Sequence, residues 1–207
     1  MSELKETARV EAFSDGVFAI AITLLILELK VPRGLSAADL GHALLEEWPS
    51  YAAYFVSFAT IGIMWINHHR LFTLIRRVDH GLLILNALLL LTISAVPFPT
   101  ALVADYLAQD GRRLVAAVYS GWFVVVSIAF NVLWRYLSSP ARRPPLLGVA
   151  LDSPEVRAIS DAYRFGPTGY VVALGASLWS PMLAVAICGA LALFFALPQH
   201  PTSRTSG

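Results

Sequence analysis

Two short polar clusters interrupt an otherwise apolar chain, and they hold the side chains that could do chemistry. The first, RVEAFSD, brings Arg9 and Asp15 to the start of a long apolar run. The second, WINHHR, combines Trp65 with the adjacent pair His68 and His69. Carboxylates and imidazoles can hold metals, move protons or attract cations, so each of these roles has to be weighed for both clusters.

The two adjacent histidines do not have the spacing of a metal site. On a regular helix His68 and His69 point about 100° apart and cannot both ligate one ion. The spacing of a His-Glu-x-x-His zinc motif is also absent. A hydrogen-bonding role is therefore favoured for both imidazoles, and the sequence predicts neither a metal site nor a bound cofactor.

Asp15 is harder to explain, because it stands at the mouth of the apolar run. A charged group within a membrane costs at least about 2.5–3.5 kcal/mol, so such a residue usually has a partner or faces water. Alternatively, Asp15 lies at headgroup depth and pairs with Arg9 or Lys5. Spacing alone leaves both interpretations open.

Composition places these clusters in a membrane protein. The 207 residues are 57% hydrophobic and 14% charged, with a mean hydropathy of +0.66, whereas soluble domains carry about 25% charged residues. The formal net charge of +1 leaves no basic patch for nucleic acid. The single cysteine, Cys188, excludes an internal disulfide and a cysteine-based metal cluster.

The apolar windows predict an all-α, polytopic fold with a single transmembrane domain over residues 1–207. A span needs about 20 mostly apolar residues, and Pro97 with Pro99 should kink the third one. Between the first two spans, residues 36–47 form a polar surface segment with Ser36 as the N-cap and Asp39 at N3. The six predicted spans are 12–29, 49–75, 81–106, 114–137, 159–179 and 182–197.

The basic residues predict the orientation of these spans. With the N-terminus in the cytoplasm, eleven Lys and Arg residues lie inside and four outside, as the positive-inside rule requires. Both termini are then cytoplasmic. The inside set is Lys5, Arg9, Arg70, Arg76, Arg77, Arg135, Arg142, Arg143, Arg157, Arg164 and Arg204; the outside set is Lys30, Arg33, Arg112 and Arg113.

A helical projection of the first span gathers large apolar side chains on one face. At about 100° per residue, Ser14 and Asp15 project to the two flanks of that face. The ordinary interpretation is packing against other helices or lipid. The residues within the sector are Arg9, Phe13, Gly16, Ile20, Thr23, Leu24 and Leu27.

The first cluster, Arg9-x-x-x-Phe13-Ser14-Asp15, resembles the RxxxFSD signature of the transmembrane-protein-175 family of potassium channels. The cluster in the second predicted span, Trp65-x-Asn67-His68-His69, is similar to that family's pattern as well. The family comprises endolysosomal channels in animals and shorter prokaryotic relatives. A chain of this length with six predicted spans resembles the single-repeat prokaryotic form, which implies the plasma membrane of a prokaryote.

The resemblance implies a homotetramer in which four first helices line a pore for K⁺ and other monovalent cations. Its pore-facing layers would be Ile20, Leu24 and Leu27, with Thr23 beside the first layer. The structural polar network would hold the first span against the second near the cytoplasmic mouth. Its members would be Arg9, Phe13, Ser14, Asp15, Trp65, Asn67 and a second-span histidine, His68 or His69.

The expected selectivity follows from what such a pore lacks. The chain has no TVGYG sequence, and an intact helix exposes no carbonyl ring, so the Ile and Leu layers would act as a dewetting constriction. K⁺ holds its water more loosely than Na⁺, which predicts a modest K⁺ preference aided by Thr23. Fourfold Asp15 and Glu28 charges could concentrate cations at the two mouths.

Two other function classes remain as alternatives. A secondary transporter would place its substrate site at mid-membrane near the Pro97/Pro99 kink, although the inverted repeat expected of such proteins is absent. A membrane enzyme would use His68, His69 and Asp15 with a bound metal. The channel hypothesis ranks first, the transporter second and the enzyme last.

Overall fold

The computed structural model describes residues 3–141 and 144–196, and most of this part of the chain is helical. The side chain of Lys5, the residues Arg142, Arg143 and Arg204, and the last residue of the sixth predicted span lie outside the described part. One isolated antiparallel bridge joins Ile75 to Leu147. The all-α fold class predicted from composition is confirmed.

Eight α-helices and one 3₁₀ turn make up the described chain, and they are numbered in chain order. The 3₁₀ turn, Leu25–Glu28, directly continues the first helix. The helices are α1 Glu3–Leu24, α2 Ala37–Glu46, α3 Trp48–Leu74, α4 His80–Ser94, α5 Pro97–Tyr106, α6 Arg112–Leu137, α7 Pro154–Ala176 and α8 Pro181–Ala196.

Local side chains define several of the helix ends. The Ser36 hydroxyl accepts a hydrogen bond from the Asp39 amide at 3.3 Å and caps α2, as predicted. Asp79 caps α4 in the same way by accepting from Leu82 N at 2.8 Å. These oxygens satisfy amides that a helix start leaves without intrahelical partners.

The predicted kink in the third span is confirmed, and a neighbouring helix satisfies one freed carbonyl. The chain leaves α4 after Ser94 and starts α5 at Pro97. The Val96 amide bonds to Ile93 O rather than to the carbonyl four residues back. The Thr92 carbonyl instead accepts from Trp122 Nε1 on α6 at 3.0 Å, which removes the cost of an unpaired polar group inside a membrane.

Two long helices organise the packing. Helix α6 contacts α4, α5, α7 and α8, while α3 contacts α1, α5 and α8. Where α3, α5 and α6 meet, the Ser57 hydroxyl bonds to Thr100 at 2.8 Å and to Tyr119 at 2.9 Å, and all three side chains are fully buried. Each polar group in this contact has a partner, as buried polar groups require.

Four segments of the described chain are long and apolar enough to cross a membrane: Glu6–Glu28, Trp48–Leu74, His80–Tyr106 and Arg112–Leu137. Helix α8 is apolar but has 16 residues. The break before α8 falls at 177–180, next to Pro181. Helix α1 starts at Glu3 and not near Ala12, because a hydropathy window finds the apolar part of a helix and not its polar first turns.

Candidate pore helix and its polar anchor

Helix α1 has one face packed into the chain and an opposite face left open. Ser14, Phe18, Ala21 and Leu25 are buried against the neighbouring helices. The opposite face carries large apolar side chains that no part of the described chain covers. These are Phe13 at 66% exposure, Ile20 at 62%, Leu24 at 42% and Leu27 at 72%.

The helix is not α-helical over the whole of this face. After Leu24 the chain tightens into the 3₁₀ turn Leu25–Glu28, whose residues advance by about 120° instead of about 100°. The assumption of an intact helix through Leu27 is therefore wrong, although Leu27 remains on the open side. The exposed Thr23 hydroxyl donates to Ala19 O at 2.9 Å and to Ile20 O at 3.0 Å.

A surface pair of hydrogen bonds ties α1 to α3. Trp65 Nε1 donates to Asp15 Oδ1 at 2.9 Å, and one turn away His69 Nδ1 lies 2.8 Å from Glu11 Oε1. The Trp65 and His69 rings stack with centroids 6.2 Å apart. Asp15 therefore has the partner that its position at the start of the apolar run required.

A buried chain of hydrogen bonds ties α1 to α3 through α4. Ser14 Oγ donates to Val10 O, Asn86 Nδ2 donates to Ser14 Oγ, and Asn86 Oδ1 lies 2.9 Å from His68 Nε2. Because Asn86 uses its amide protons toward Ser14, its oxygen must accept, and this network assigns the proton of neutral His68 to Nε2.

The same assignment leaves His68 Nδ1 as an unprotonated nitrogen. It is the one buried side-chain nitrogen or oxygen in the described chain without a hydrogen-bond partner. The imidazole lies between two phenyl rings, 5.3 Å from Phe18 and 4.4 Å from Phe72 between centroids. Apolar packing on both sides therefore holds the ring in place.

Three members of the predicted network lie elsewhere. Arg9 is exposed and has no hydrogen-bond or ion-pair partner among the described residues. Phe13 lies on the open face of α1. Asn67 faces the other side of α3, where its amide nitrogen is 3.5 Å from Phe195 O, because it is two residues from both Trp65 and His69 and so lies far from them around the helix.

The surface pair of hydrogen bonds and the buried chain together form the polar anchor of α1. Two of its residues, Glu11 and Asn86, were not predicted. Glu11 lies one turn before Asp15, so the i, i+4 spacing of the two carboxylates was the available signal. Asn86 is a single amide within an apolar span, a pattern typical of contact between membrane helices. That pattern does not identify the partner, so the link to Ser14 and His68 could not be inferred.

Beyond the opposite end of α1, one charge pair joins two elements. Glu28 is half-buried at the end of the 3₁₀ turn, and Lys30 bonds to Asp105 on α5. That hydrogen bond, with the nearby negative charges, raises the pKa of the Lys30 ammonium above its usual range.

The geometry does not assemble a catalytic or metal centre from the two clusters. His68 is buried against Asn86 while His69 pairs with Glu11 on the surface. Within the described ranges, no group of three or more His, Cys, Asp or Glu side chains could hold a metal ion. What the arrangement can do is hold α1 at one rotation and leave one apolar face free.

Comparison with known proteins extends these observations. Residues 9–97 match the family model described as endosomal/lysosomal potassium channel TMEM175. A potassium channel from Chamaesiphon minutus is 50% identical over 200 residues, covering 96% of this chain and 97% of that protein. A potassium channel from Streptomyces collinus is 47% identical over 199 residues, covering 96% and 95%.

The fold also matches a solved structure. The crystal structure of a lysosomal potassium-selective channel TMEM175 homolog from Chamaesiphon minutus superimposes with a TM-score of 0.85 at 47% identity. The match covers 95% of this chain and 99% of that one. Similarity therefore extends along almost the whole chain and is not confined to the two motifs.

Proposed function

Because the chain belongs to the TMEM175 family, we propose that it is a potassium-permeable channel, a homotetramer whose pore is lined by α1. The observation that carries this proposal is the division of α1 into an anchored face and an open apolar face. Relatives named as potassium channels supply the ion. The work of the protein is then transport, and no catalysis is proposed.

The open face of α1 favours assembly of several copies. Phe13, Ile20, Leu24 and Leu27 form a continuous exposed stripe, which in a monomer would face lipid. The opposite face is anchored by hydrogen bonds to α3 and α4, which lipid contact alone would not require. In a tetramer with its symmetry axis along α1, the fixed rotation of α1 would make each copy present the same side chains to the centre.

The proposed conduction barrier consists of rings of apolar side chains. Ile20, Leu24 and Leu27 offer a cation no ligand, so the constriction acts by dewetting and the ion must lose part of its hydration shell. K⁺ loses that water at a lower cost than Na⁺, which gives a modest K⁺ preference.

Thr23 can lower the cost of dehydration. Its hydroxyl proton is directed to the backbone carbonyls of Ala19 and Ile20. The lone pairs of the oxygen are therefore left to accept, or to contact a passing cation.

Charges near the two ends of α1 would raise the local cation concentration. Asp15 and Glu11 are held near one end by Trp65 and His69, and Glu28 lies at the other. In a tetramer each carboxylate is repeated four times, which focuses a negative potential at both mouths.

The proposed topology has six spans, with α4 and α5 forming one broken span and α7 and α8 adding the last two. Both termini are placed in the cytoplasm of a prokaryotic plasma membrane. The distribution of Arg and Lys supports this orientation. Reporter fusions at Gly207 test it: alkaline phosphatase there is expected to be inactive and green fluorescent protein fluorescent, and the reverse pattern would invert the topology.

The transporter alternative has no support. The region near Pro97 and Pro99 is packed: Pro99 is buried, and Thr100 is closed off by Ser57 and Tyr119. The similar proteins described above carry channel names and not transporter names.

Current recordings from purified, reconstituted protein test the function. With K⁺ and Na⁺ in opposed gradients, the reversal potential is expected to follow K⁺ while a smaller Na⁺ current remains. A reversal potential that ignores both cations, or saturable uptake coupled to a gradient, would reject the channel.

Substitutions on the open face test the pore assignment. Ile20→Asn and Leu24→Ala are expected to raise conductance and reduce K⁺ preference, because each removes part of a dewetting ring. Leu83→Ala on α4, also exposed, is the control and should leave currents unchanged. Wild-type currents from the Ile20→Asn/Leu24→Ala double variant would reject this pore lining.

A further inference from the structure

A cavity lies inside each chain, away from the proposed pore, between α3, α6, α7 and α8. Its narrow inner part, the slot, has almost entirely apolar walls, including Met64, Phe130 and Ala192. Its wider outer part, the mouth, is more polar and is lined by Arg70, Thr73 and Glu155 among others. The two parts share Asn67 and Phe195 as lining residues, so they adjoin each other.

The mouth has one basic side chain, and two buried tyrosines line the slot. Arg70, half-buried, lines the mouth opposite Glu155 and has no ion-pair partner among the described residues. Tyr163 lines both parts and Tyr170 lines the slot, with only 8% and 4% of their surfaces exposed. No hydrogen bond joins either hydroxyl to another described residue.

Neither hydroxyl oxygen is among the fully buried atoms without a partner in the described chain, so both are open to the same apolar space. A ligand with a hydrogen-bond acceptor and a long apolar part could pair with a hydroxyl there and fill the space. Arg70 adds a positive charge at the end of the bundle where Arg9, Arg76 and Arg164 also lie, which selects a negative group. A narrow slot with a charged mouth has the form of an acyl-chain site.

We propose that the slot binds one acyl chain of an anionic phospholipid from the cytoplasmic leaflet, with the phosphate at Arg70. The carbonyl of the chain's ester accepts a hydrogen bond from the Tyr163 hydroxyl, because Tyr163 lines both the slot and the mouth. This goes beyond conduction and locates a lipid site within the subunit, and its readout does not depend on current.

Native mass spectrometry of the purified full-length chain tests the site with dioleoyl phosphatidylglycerol and dioleoyl phosphatidylcholine as probes. We expect phosphatidylglycerol to be retained in preference, at least one molecule per chain. Arg70→Gln should weaken that retention about tenfold or more, the effect of losing a charge-assisted contact. Arg76→Gln, at the same end but outside the cavity, is the matched control and should leave retention unchanged.

A second pair of variants tests the acyl chain. Ala192→Phe fills the slot and should reduce retention of both lipids, and Tyr163→Phe/Tyr170→Phe removes the hydroxyls at nearly constant shape and should weaken retention. If Ala192→Phe fails to fold, the tyrosine variant decides the question alone. Equal effects of Arg70→Gln and Arg76→Gln, no preference for phosphatidylglycerol, no lipid retained, or wild-type retention by the tyrosine variant would each overturn the proposal.

Discussion

At the scale of single residues, the anchor of α1 consists of polar groups whose donors and acceptors are matched. The Asn86 amide donates a hydrogen bond to Ser14 and accepts one from His68. The Ser14 hydroxyl in turn donates to Val10 O. A buried amide in this position connects two groups, because removing it leaves both of them without a hydrogen-bond partner. The surface pair of Asp15 and Trp65 is simpler and partly open to water.

Asn86→Leu should destabilise the protein by about 2–4 kcal/mol, because it leaves His68 Nε2–H and one lone pair of Ser14 buried without partners. Thermal unfolding of purified protein measures the effect. Ser94→Ala is the control: the exposed Ser94 hydroxyl bonds only to Leu91 O, so its removal should change stability by less than about 0.5 kcal/mol. Equal effects of the two substitutions would contradict the connector role of Asn86.

Asp15→Asn and Trp65→Phe should differ in their effects. Asparagine keeps an acceptor for Trp65 Nε1, whereas phenylalanine removes the donor, so Trp65→Phe should cost about 1 kcal/mol more. A double-variant cycle of Asp15→Ala with Trp65→Phe, in which each single change removes the hydrogen bond, measures the coupling of the two side chains on thermal unfolding. Additive effects would mean that the 2.9 Å contact contributes nothing to stability.

At the scale of elements, polar bonds between helices fix the rotation of α1, and one charged hydrogen bond holds the chain that follows it. The anchor acts near Asp15, and the bond of Lys30 to Asp105 joins the chain after the 3₁₀ turn to α5. Helix α1 is therefore held near its middle and beyond its C-terminal end, while its apolar stripe stays open.

The Lys30–Asp105 link gives a prediction about pH. The pKa of Lys30 is raised in the folded protein, so its stabilisation is fully present below the unfolded lysine pKa of about 10.4 and is lost as pH rises through the higher folded value. The difference in melting temperature between wild type and Lys30→Gln should stay constant from about pH 7 to 9 and shrink only above about pH 10. It should be small because both side chains are substantially exposed. A difference that vanished by pH 8 would contradict the link.

At the scale of the whole molecule, the open stripe of α1 is the surface that the proposed assembly of several copies would bury. Cysteine cross-linking tests this arrangement: Leu24→Cys should form disulfides between copies, since identical positions approach one another around a symmetry axis. Leu83→Cys on α4 is the control and should remain monomeric on a non-reducing gel. The native Cys188 is fully buried, so it contributes no background. Cross-linking at position 83 but not at 24 would place a different helix at the axis.

The sequence by itself determined the features that depend on local chemistry. Periodicity identified the apolar stripe on α1, Ser36 and Asp39 predicted the start of α2, and Pro97 predicted the break before α5. Each of these needs only a residue and its neighbours within a turn or two. The start of α1 at Glu3 was missed because hydropathy responds to lipid solubility, whereas a helix continues into water as long as its hydrogen bonds hold.

Only the tertiary structure decided which partners the polar residues have. Asp15 and Trp65 are 50 positions apart and Ser14 and Asn86 are 72 apart; one sequence gives no geometric relation across such separations. The tertiary structure also places Asn67 on the side of α3 away from the anchor. It shows in addition that the proposed pore helix ends in the 3₁₀ turn Leu25–Glu28. A side chain's type sets what it can bond to, but the packing of helices sets what lies within 3 Å of it.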